Sequence, residues 1–290
     1  MGVTEKFTDF CKKLEFSSDE LTTIQSRFEA ICKRLNKDFW DMDSVTGGKF
    51  VGSVGRKTAN GWESDIDMLF EMPSAVYNQY NAYQGNGQSA LLQAVKNSIS
   101  ITYPNTDVGG DGQVVVVPFT DSLRFEVLPA WKNSLGIYTY ADSNNGGSWK
   151  TTNPNAEIAA IETGQLFTNN NLINLCRMLR AWKSYNSVPI GGLLLDTLAY
   201  NFLTNWYNRH QSYLYYDFMT RDFFEYLKNV NSTSWFAIGS GAVLTKQGEF
   251  SGKAEKAYKT ALEAIEFENS GLASSANSKW RDIYGLRFPA

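Results

Sequence analysis

Residues 52–67 read GSVGRKTANGWESDID, and the chain continues MLFEMP to Pro73. The stretch DIDMLFEMP alternates and then stops at a proline, the pattern of a strand. In a strand, residues i and i+2 share a face. Asp65 and Asp67 then point one way, while Ile66 and Met68 point into a core. Two carboxylates on one face repel each other unless a cation lies between them. An all-oxygen ligand set suits Mg²⁺ or Mn²⁺. A third acid on a neighbouring strand completes a site for two ions. Glu126 in RFEVLPAW (124–131) is that candidate, with Phe125 and Val127 on the opposite face. The segment ahead of the aspartates fits the same chemistry. Gly52 permits close backbone approach, and Ser53 offers a hydroxyl and an N–H to a phosphate. Arg56 and Lys57 add positive charge. Phosphoryl transfer asks little covalent help of a protein and depends on positioning and on cations at the phosphate oxygens. An isolated D-x-D is common, usually solvated, and a lone Gly-Ser is weaker still. It is the joint pattern that favours nucleotide transfer.

The bulk composition narrows the alternatives. The chain has 290 residues, 43% hydrophobic and 20% charged, enough for one large domain or two lobes. No run of about 18 apolar residues occurs, so no transmembrane helix is expected. The N-terminus MGVTEKFTDFCKKLEF is charged where a signal peptide needs an apolar stretch, and it lacks the Ser or Thr of a myristoylation signal. Cys11, Cys32 and Cys176 have no metal-like spacing and read as buried helical residues, which fits a reducing cytoplasm. A net charge of −3 argues against a protein that coats long nucleic acid. The single histidine, His210, falls at the end of a predicted helix, as a surface or capping residue. Triads that need a histidine base and His- or Cys-rich zinc sites are disfavoured. Catalysis, if present, rests on carboxylates.

Along the chain, apolar residues at three- and four-residue steps predict helix over 4–40, with SSDE (17–20) capping a second helix. Gly47 and Gly48 form a linker. A helix is predicted over 87–100. QVVVVPF and RFEVLPAW, joined by TDSL, predict a hairpin. Residues 136–156, rich in Gly, Asn and Ser, read as a long surface loop. From about 157 onward the pattern is mostly helical, with LLLDTLAYNFLTNWY apolar nearly all round and so central. The outline is α+β, a mixed first part (1–156) followed by a helical part (157–290).

At this point the chain resembles a family. GSVGRKTANGWESDIDML matches the G-S…D-x-D signature of polymerase-β-like nucleotidyltransferases. FEVLPAW, GGSWKTTNP, RMLRAWK and KWRDIYGLRFP resemble segments of the bacterial CD-NTases, relatives of cyclic GMP–AMP synthase that serve anti-phage (CBASS) signalling. The resemblance spans roughly residues 48–289. It implies a polymerase-β-like nucleotidyltransferase core, 1–156 with the N-terminal helices, and a C-terminal helical lobe, 157–290, bilobed about a central nucleotide cleft. It implies Asp65, Asp67 and Glu126 as ligands of two Mg²⁺ (or Mn²⁺) ions and Ser53 on the donor triphosphate. Glu126 departs from the aspartate frequent at that place. Arg180 stands where relatives carry a phosphate-binding lysine, and Lys183 shares its helical face. Gly191 and Gly192 replace the usual Lys-Ser pair, leaving backbone N–H groups at a helix start to substitute for the serine.

The remaining residues keep two readings each. Tyr138, Tyr140 and Trp149 either stack on bases or pack their loop against the core. Asn153 and Asn155 either read a base edge or, for Asn153, cap a helix opening at Pro154. The activity implied is template-independent synthesis of a cyclic di- or trinucleotide from NTPs, the product acting on a separate effector protein. A regulatory partner is compatible with this, and neither a membrane nor long nucleic acid is required. Alternatives are transfer of a nucleotide to RNA ends, a protein or a small molecule, and a silent nucleotide-binding sensor. The chain ends at RFPA, directly after the closing motif, so conjugation of a C-terminal tail is not expected.

Overall fold

The first forty residues form two helices, the second capped at Ser17 as the sequence predicts. In the computed structural model, which describes residues 2–62 and 65–290, helix α1 (Val3–Lys13) is followed by helix α2 (Ser18–Leu35). Of the signature stretch, Glu63 and Ser64 lie outside the described residues. The break is set by a capping box. The Glu20 N–H donates to the Ser17 hydroxyl at 3.2 Å, and the Ser17 N–H donates to the Glu20 carboxylate at 2.7 Å. At its far end α2 runs into a π-helical turn, Asn36–Trp40, closed by Asp41 at φ +52°.

Two compact units emerge, and the chain passes back and forth between them. One holds residues 17–56 and 63–155. The other holds 1–16, 57–62 and 156–290. The division is not a single cut near residue 156, because α1 and the short segment 57–62 group with the helical part.

The sheet unit contains α2, β1 (Gly48–Phe50), α3 (Gly52–Gly55), β2 (Ile66–Glu71), α4 (Ser74–Asn81), α5 (Gly87–Thr102), β3 (Gly109–Asp111), β4 (Val114–Pro118), β5 (Arg124–Lys132), β6 (Tyr138–Asp142) and β7 (Ser148–Thr152). The strand order is β1-β2-β5-β4-β3, and β6 continues alongside β5 where β4 ends, with β7 beyond it. All neighbours are antiparallel except β2 and β5, which run parallel. The β4–β5 hairpin forms as the sequence predicts. Ile66, Met68 and Phe70 of β2 and Phe125 and Val127 of β5 are fully buried on one face, where α2 and α5 pack. That leaves Asp67, Leu69, Glu126 and Leu128 to the other.

The predicted loop over 136–156 is instead the hairpin β6–β7. Tyr138-Thr-Tyr and Trp149-Lys-Thr-Thr supply the β-branched and aromatic residues that favour strands, and Tyr140 pairs with Ala130. The turn residues, Asn145 at φ +51° and Gly146 and Gly147 at positive φ, dominated the composition and hid the alternation.

The helical unit adds α6 (Pro154–Phe167), α7 (Asn171–Tyr185), α8 (Gly192–Asn205), α9 (Tyr216–Lys228), the hairpin β8 (Ser234–Phe236) and β9 (Val243–Thr245), α10 (Ser251–Asn269) and α11 (Ala273–Tyr284). The small hairpin interrupts a part that is otherwise helical, in keeping with the mostly helical expectation. α8 buries Leu194, Leu195, Leu198, Ala199, Phe202 and Leu203, the central helix its composition predicted. Phe7 of α1 sets its ring edge-on to Trp280 and Phe288, with centroids 5.4 and 5.2 Å apart. Each buried ring contributes about 1.5–3 kcal/mol by burial, which explains why α1 belongs to this unit. The three cysteines are buried and free. Among the described residues, no helix is long and apolar enough to cross a membrane.

Candidate active site

The carboxylates sit at one end of the parallel pair. Asp67 lies directly opposite Glu126 in the β2–β5 register. Adjacent strands run about 4.8 Å apart, so the two side chains rise from the sheet side by side. Asp65 immediately precedes β2 and is exposed.

The Gly52-Ser53 segment is packed onto Asp67. The Val51 N–H donates to the Asp67 carbonyl at 2.9 Å, extending the ladder past β1. The chain then turns at Gly52, φ +57°, into the single helical turn α3. A Cβ at Gly52 would stand 1.9 Å from Asp67 Oδ2, closer than any side chain tolerates. The Ser53 N–H donates to the Asp67 carboxylate. The segment ahead of the aspartates is therefore a tight turn built against the acid.

The charges in this cluster oppose one another. The Asp67 carboxyl is pushed up to about 6, first by burial and next by the Glu126 charge, with Asp65 adding to the rise. Arg56, itself buried, and the Ser53 N–H pull the other way. Glu126 is raised by burial foremost, against the lowering influence of Arg124, while Asp65 and Asp111 raise it further. Arg124 Nη2 stands 2.8 Å from Glu126 Oε1 and 3.9 Å from Asp111 Oδ2.

The half-buried Asp67 and Glu126, with the exposed Asp65, form a mutually repelling, all-oxygen group beside a turn that excludes a side chain, and such a group fits a hard divalent cation. Among the described residues, no three His, Cys, Asp or Glu side chains already converge as a finished cage. Glu126 is turned to Arg124. The i, i+2 rule that found Asp65 and Asp67 also applies to Arg124 and Glu126, and it would have found this partner.

The other expected residues fall in different places. Tyr140 flanks a small apolar cluster of Val51, Leu69, Ala130 and Tyr138 on the same face as Asp67. Tyr138 is buried in that cluster, so the packing reading holds for it. Trp149 packs edge-on to Trp131, ring centroids 5.5 Å apart, and its Nε1 donates to Asn81 Oδ1 at 3.0 Å. Asn153 directly precedes α6, which opens at Pro154. Lys49, absent from the expectations, donates to Asn155 Oδ1 and pairs with Leu69 across β1–β2, on the carboxylate face.

Arg180 and Lys183 lie on α7 in the helical unit. Arg180 Nη2 is held by the fully buried Asp196 at 2.7 Å, with Thr58 Oγ1 at 3.2 Å and the Gly192 carbonyl at 3.4 Å. A Cβ at Gly192 would meet Arg180 Nη1 at 2.8 Å, which accounts for glycine at the start of α8. Nothing in the sequence marked Asp196, which sits within an apolar run.

Comparison with known proteins agrees with this architecture. No curated protein matches the chain. Among solved structures, CdnC of E. coli MS115-1, in a complex with a HORMA protein, has a TM-score of 0.70 at 13% identity, covering 99% of this chain and 98% of that one. The STING-associated CdnE c-di-GMP synthase of Capnocytophaga granulosa gives 0.66 at 16%, covering 94% and 87%. The CD-NTase CdnG of Bradyrhizobium diazoefficiens, solved with GTP, gives 0.64 at 9%, covering 99% and 96%. At such identities the likeness speaks to the fold, and the fold is the α+β one that the CD-NTase resemblance implies. The model of the SMODS domain, the Second Messenger Oligonucleotide or Dinucleotide Synthetase domain, matches residues 1–164. With more than half of its length inside that match, the chain belongs to the SMODS family of second messenger oligonucleotide or dinucleotide synthetases.

Proposed function

We propose that the protein joins nucleoside triphosphates, without a template, into a cyclic di- or trinucleotide. The observation that carries this is the packing of the Gly52-Ser53 turn directly onto Asp67, itself in register with Glu126. Asp65, Asp67 and Glu126 would hold two Mg²⁺ or Mn²⁺ ions. When bound, such ions neutralise triphosphate oxygens and lower the pKa of an attacking hydroxyl. Ser53 and Arg56 orient the donor triphosphate over Asp67, and Glu126 faces the 2′- or 3′-hydroxyl of the second nucleotide. The hydroxyl gives up its proton to solvent, its oxygen attacks the α-phosphorus in line, and the new O–P bond forms as the bond from the α-phosphorus to the bridging oxygen of the β-phosphate breaks, releasing pyrophosphate. A second such step closes the ring. Tyr140, Asn153 and Lys183 are further candidates for contacts to base, ribose or phosphate. We read the surroundings as cytoplasmic, with a separate effector protein that responds to the product and room for a regulatory partner, in CBASS-type defence.

The test is incubation with four labelled NTPs and Mg²⁺ or Mn²⁺, phosphatase treatment and separation of products. A phosphatase-resistant product that disappears in Asp65→Ala/Asp67→Ala is expected. A product that remains phosphatase-sensitive under every NTP combination would sink the cyclisation reading.

A further inference from the structure

Residues 57–62 join the phosphate-side turn to the aspartate strand, and they are tied down along their length in the helical unit. Lys57 takes a left-handed conformation, φ +63°, and its Nζ lies 3.6 Å from Glu162. Thr58 is fully buried, and its hydroxyl donates to Asp196 Oδ2 at 2.8 Å. Asn60, also buried, donates from Nδ2 to the Arg177 carbonyl at 3.2 Å. The Gly61 N–H donates to the Leu14 carbonyl at 3.1 Å. A Cβ there would stand 2.7 Å from the Glu15 carbonyl, so the approach requires glycine. The Arg287 guanidinium lies 3.5 Å over the Trp62 ring.

A six-residue connector between two catalytic segments would ordinarily be a solvated loop. This one is sunk into helices, and its central contact is to a buried carboxylate. A buried carboxylate needs a cation and donors around it. Arg180 supplies the cation to Asp196, and Thr58 supplies a hydroxyl. The segment begins one residue after Arg56 and ends three residues before Asp65.

We propose that Asp196 and Arg180 are positioning residues for nucleotidyl transfer: through Thr58 they fix the connector, and so the setting of the Gly52-Ser53 turn relative to Asp65. The inference rests on the proposed function for its kinetic consequence, but the fixed connector stands without it. Arg180 then acts through Thr58 and Asp196, not by holding a phosphate itself.

The test compares Thr58→Val, Thr58→Ser and Arg180→Lys in the full chain. Val removes the hydroxyl at nearly constant volume, and Ser keeps it. The activity readout is kcat and KM for NTP-dependent pyrophosphate release. The second readout is the rate of tryptic cleavage at Arg56 and Lys57, which needs no activity. The expectation for Thr58→Val is a kcat at least tenfold lower with KM within about twofold, and cleavage at least tenfold faster. Thr58→Ser restores both. Arg180→Lys follows Thr58→Val in kcat with KM unmoved. Parental cleavage rate and kcat in Thr58→Val would overturn the proposal, as would an Arg180→Lys defect confined to KM. If the parent consumes no NTP, the proposed function fails, and the cleavage rates still decide whether the connector is fixed as described.

Discussion

Replacing Gly52 by alanine puts a methyl carbon where the Asp67 carboxylate now stands. The backbone at φ +57° costs an L-residue about 1–2 kcal/mol relative to glycine. The steric problem is larger. The Cβ would lie 1.9 Å from Oδ2 and 2.6 Å from Cγ, so the carboxylate has to retreat by about 1 Å or more. A displacement of about 1 Å at reacting groups costs roughly 100-fold in rate, or about 2.7 kcal/mol of barrier. Gly47→Ala is the matched control. Its φ is +83°, but the nearest atom to its Cβ is Phe70 Cε2 at 3.5 Å, an ordinary contact. The assay is pyrophosphate release at saturating NTP, alongside denaturant unfolding. Both variants should lose about 1–2 kcal/mol of stability to the backbone, and Gly52→Ala more through the clash with Asp67. Only Gly52→Ala should lose about two orders of magnitude in kcat. A Gly52→Ala enzyme within threefold of the parent would refute the claim that the turn is built against a working carboxylate.

Two further predictions concern the helical unit. Burial, chiefly, pushes the Asp217 carboxyl up from 3.8 to about 6. The fold therefore favours the protonated acid, and its stability cost grows as pH rises through this interval, reaching about 3 kcal/mol above pH 6. Asp217→Asn should stabilise the protein by up to that amount at pH 7–8 and by nothing below pH 4, and a gain independent of pH would contradict the assignment. Lys6 is almost wholly buried, 2.5 Å from Glu268. Lys6→Met leaves that carboxylate unpaired and should cost about 3 kcal/mol in denaturant unfolding, whereas Lys6→Met/Glu268→Gln should recover most of it. Equal losses in the single and double variants would show that the ion pair is not what matters there.

The candidate site was more legible in the sequence than its surroundings. Asp65, Asp67 and Glu126 stood out because strand alternation is a short-range rule and acids on an otherwise apolar strand break it. The β4–β5 hairpin and the central helix α8 were legible for the same reason. The parallel pairing that sets Asp67 against Glu126 joins strands far apart in sequence and leaves no local mark. β6 and β7 were hidden because their turn residues outweighed their strand residues in composition. Asp196 was hidden because one acid within LLLDTL carries no periodic signal, and its meaning comes from Arg180 and Thr58. Lys49 was missed because a three-residue strand is too short to show alternation.

The docking of α1 against α10 and α11 has a consequence for how the protein is made. Lys6 and Glu268 are 262 positions apart. At about 5–20 residues per second, the ribosome finishes Glu268 roughly 13–50 s after Lys6 is joined. Through that interval Phe7 and Phe10 can meet α7 and α9, Tyr216 included, but lack the part of their native surface that Trp280, Tyr284 and Phe288 supply. The nascent chain therefore carries an incompletely covered apolar helix until α10 and α11 emerge, which makes its first turns a natural target of a holdase and a point where slow synthesis or a stalled ribosome does harm.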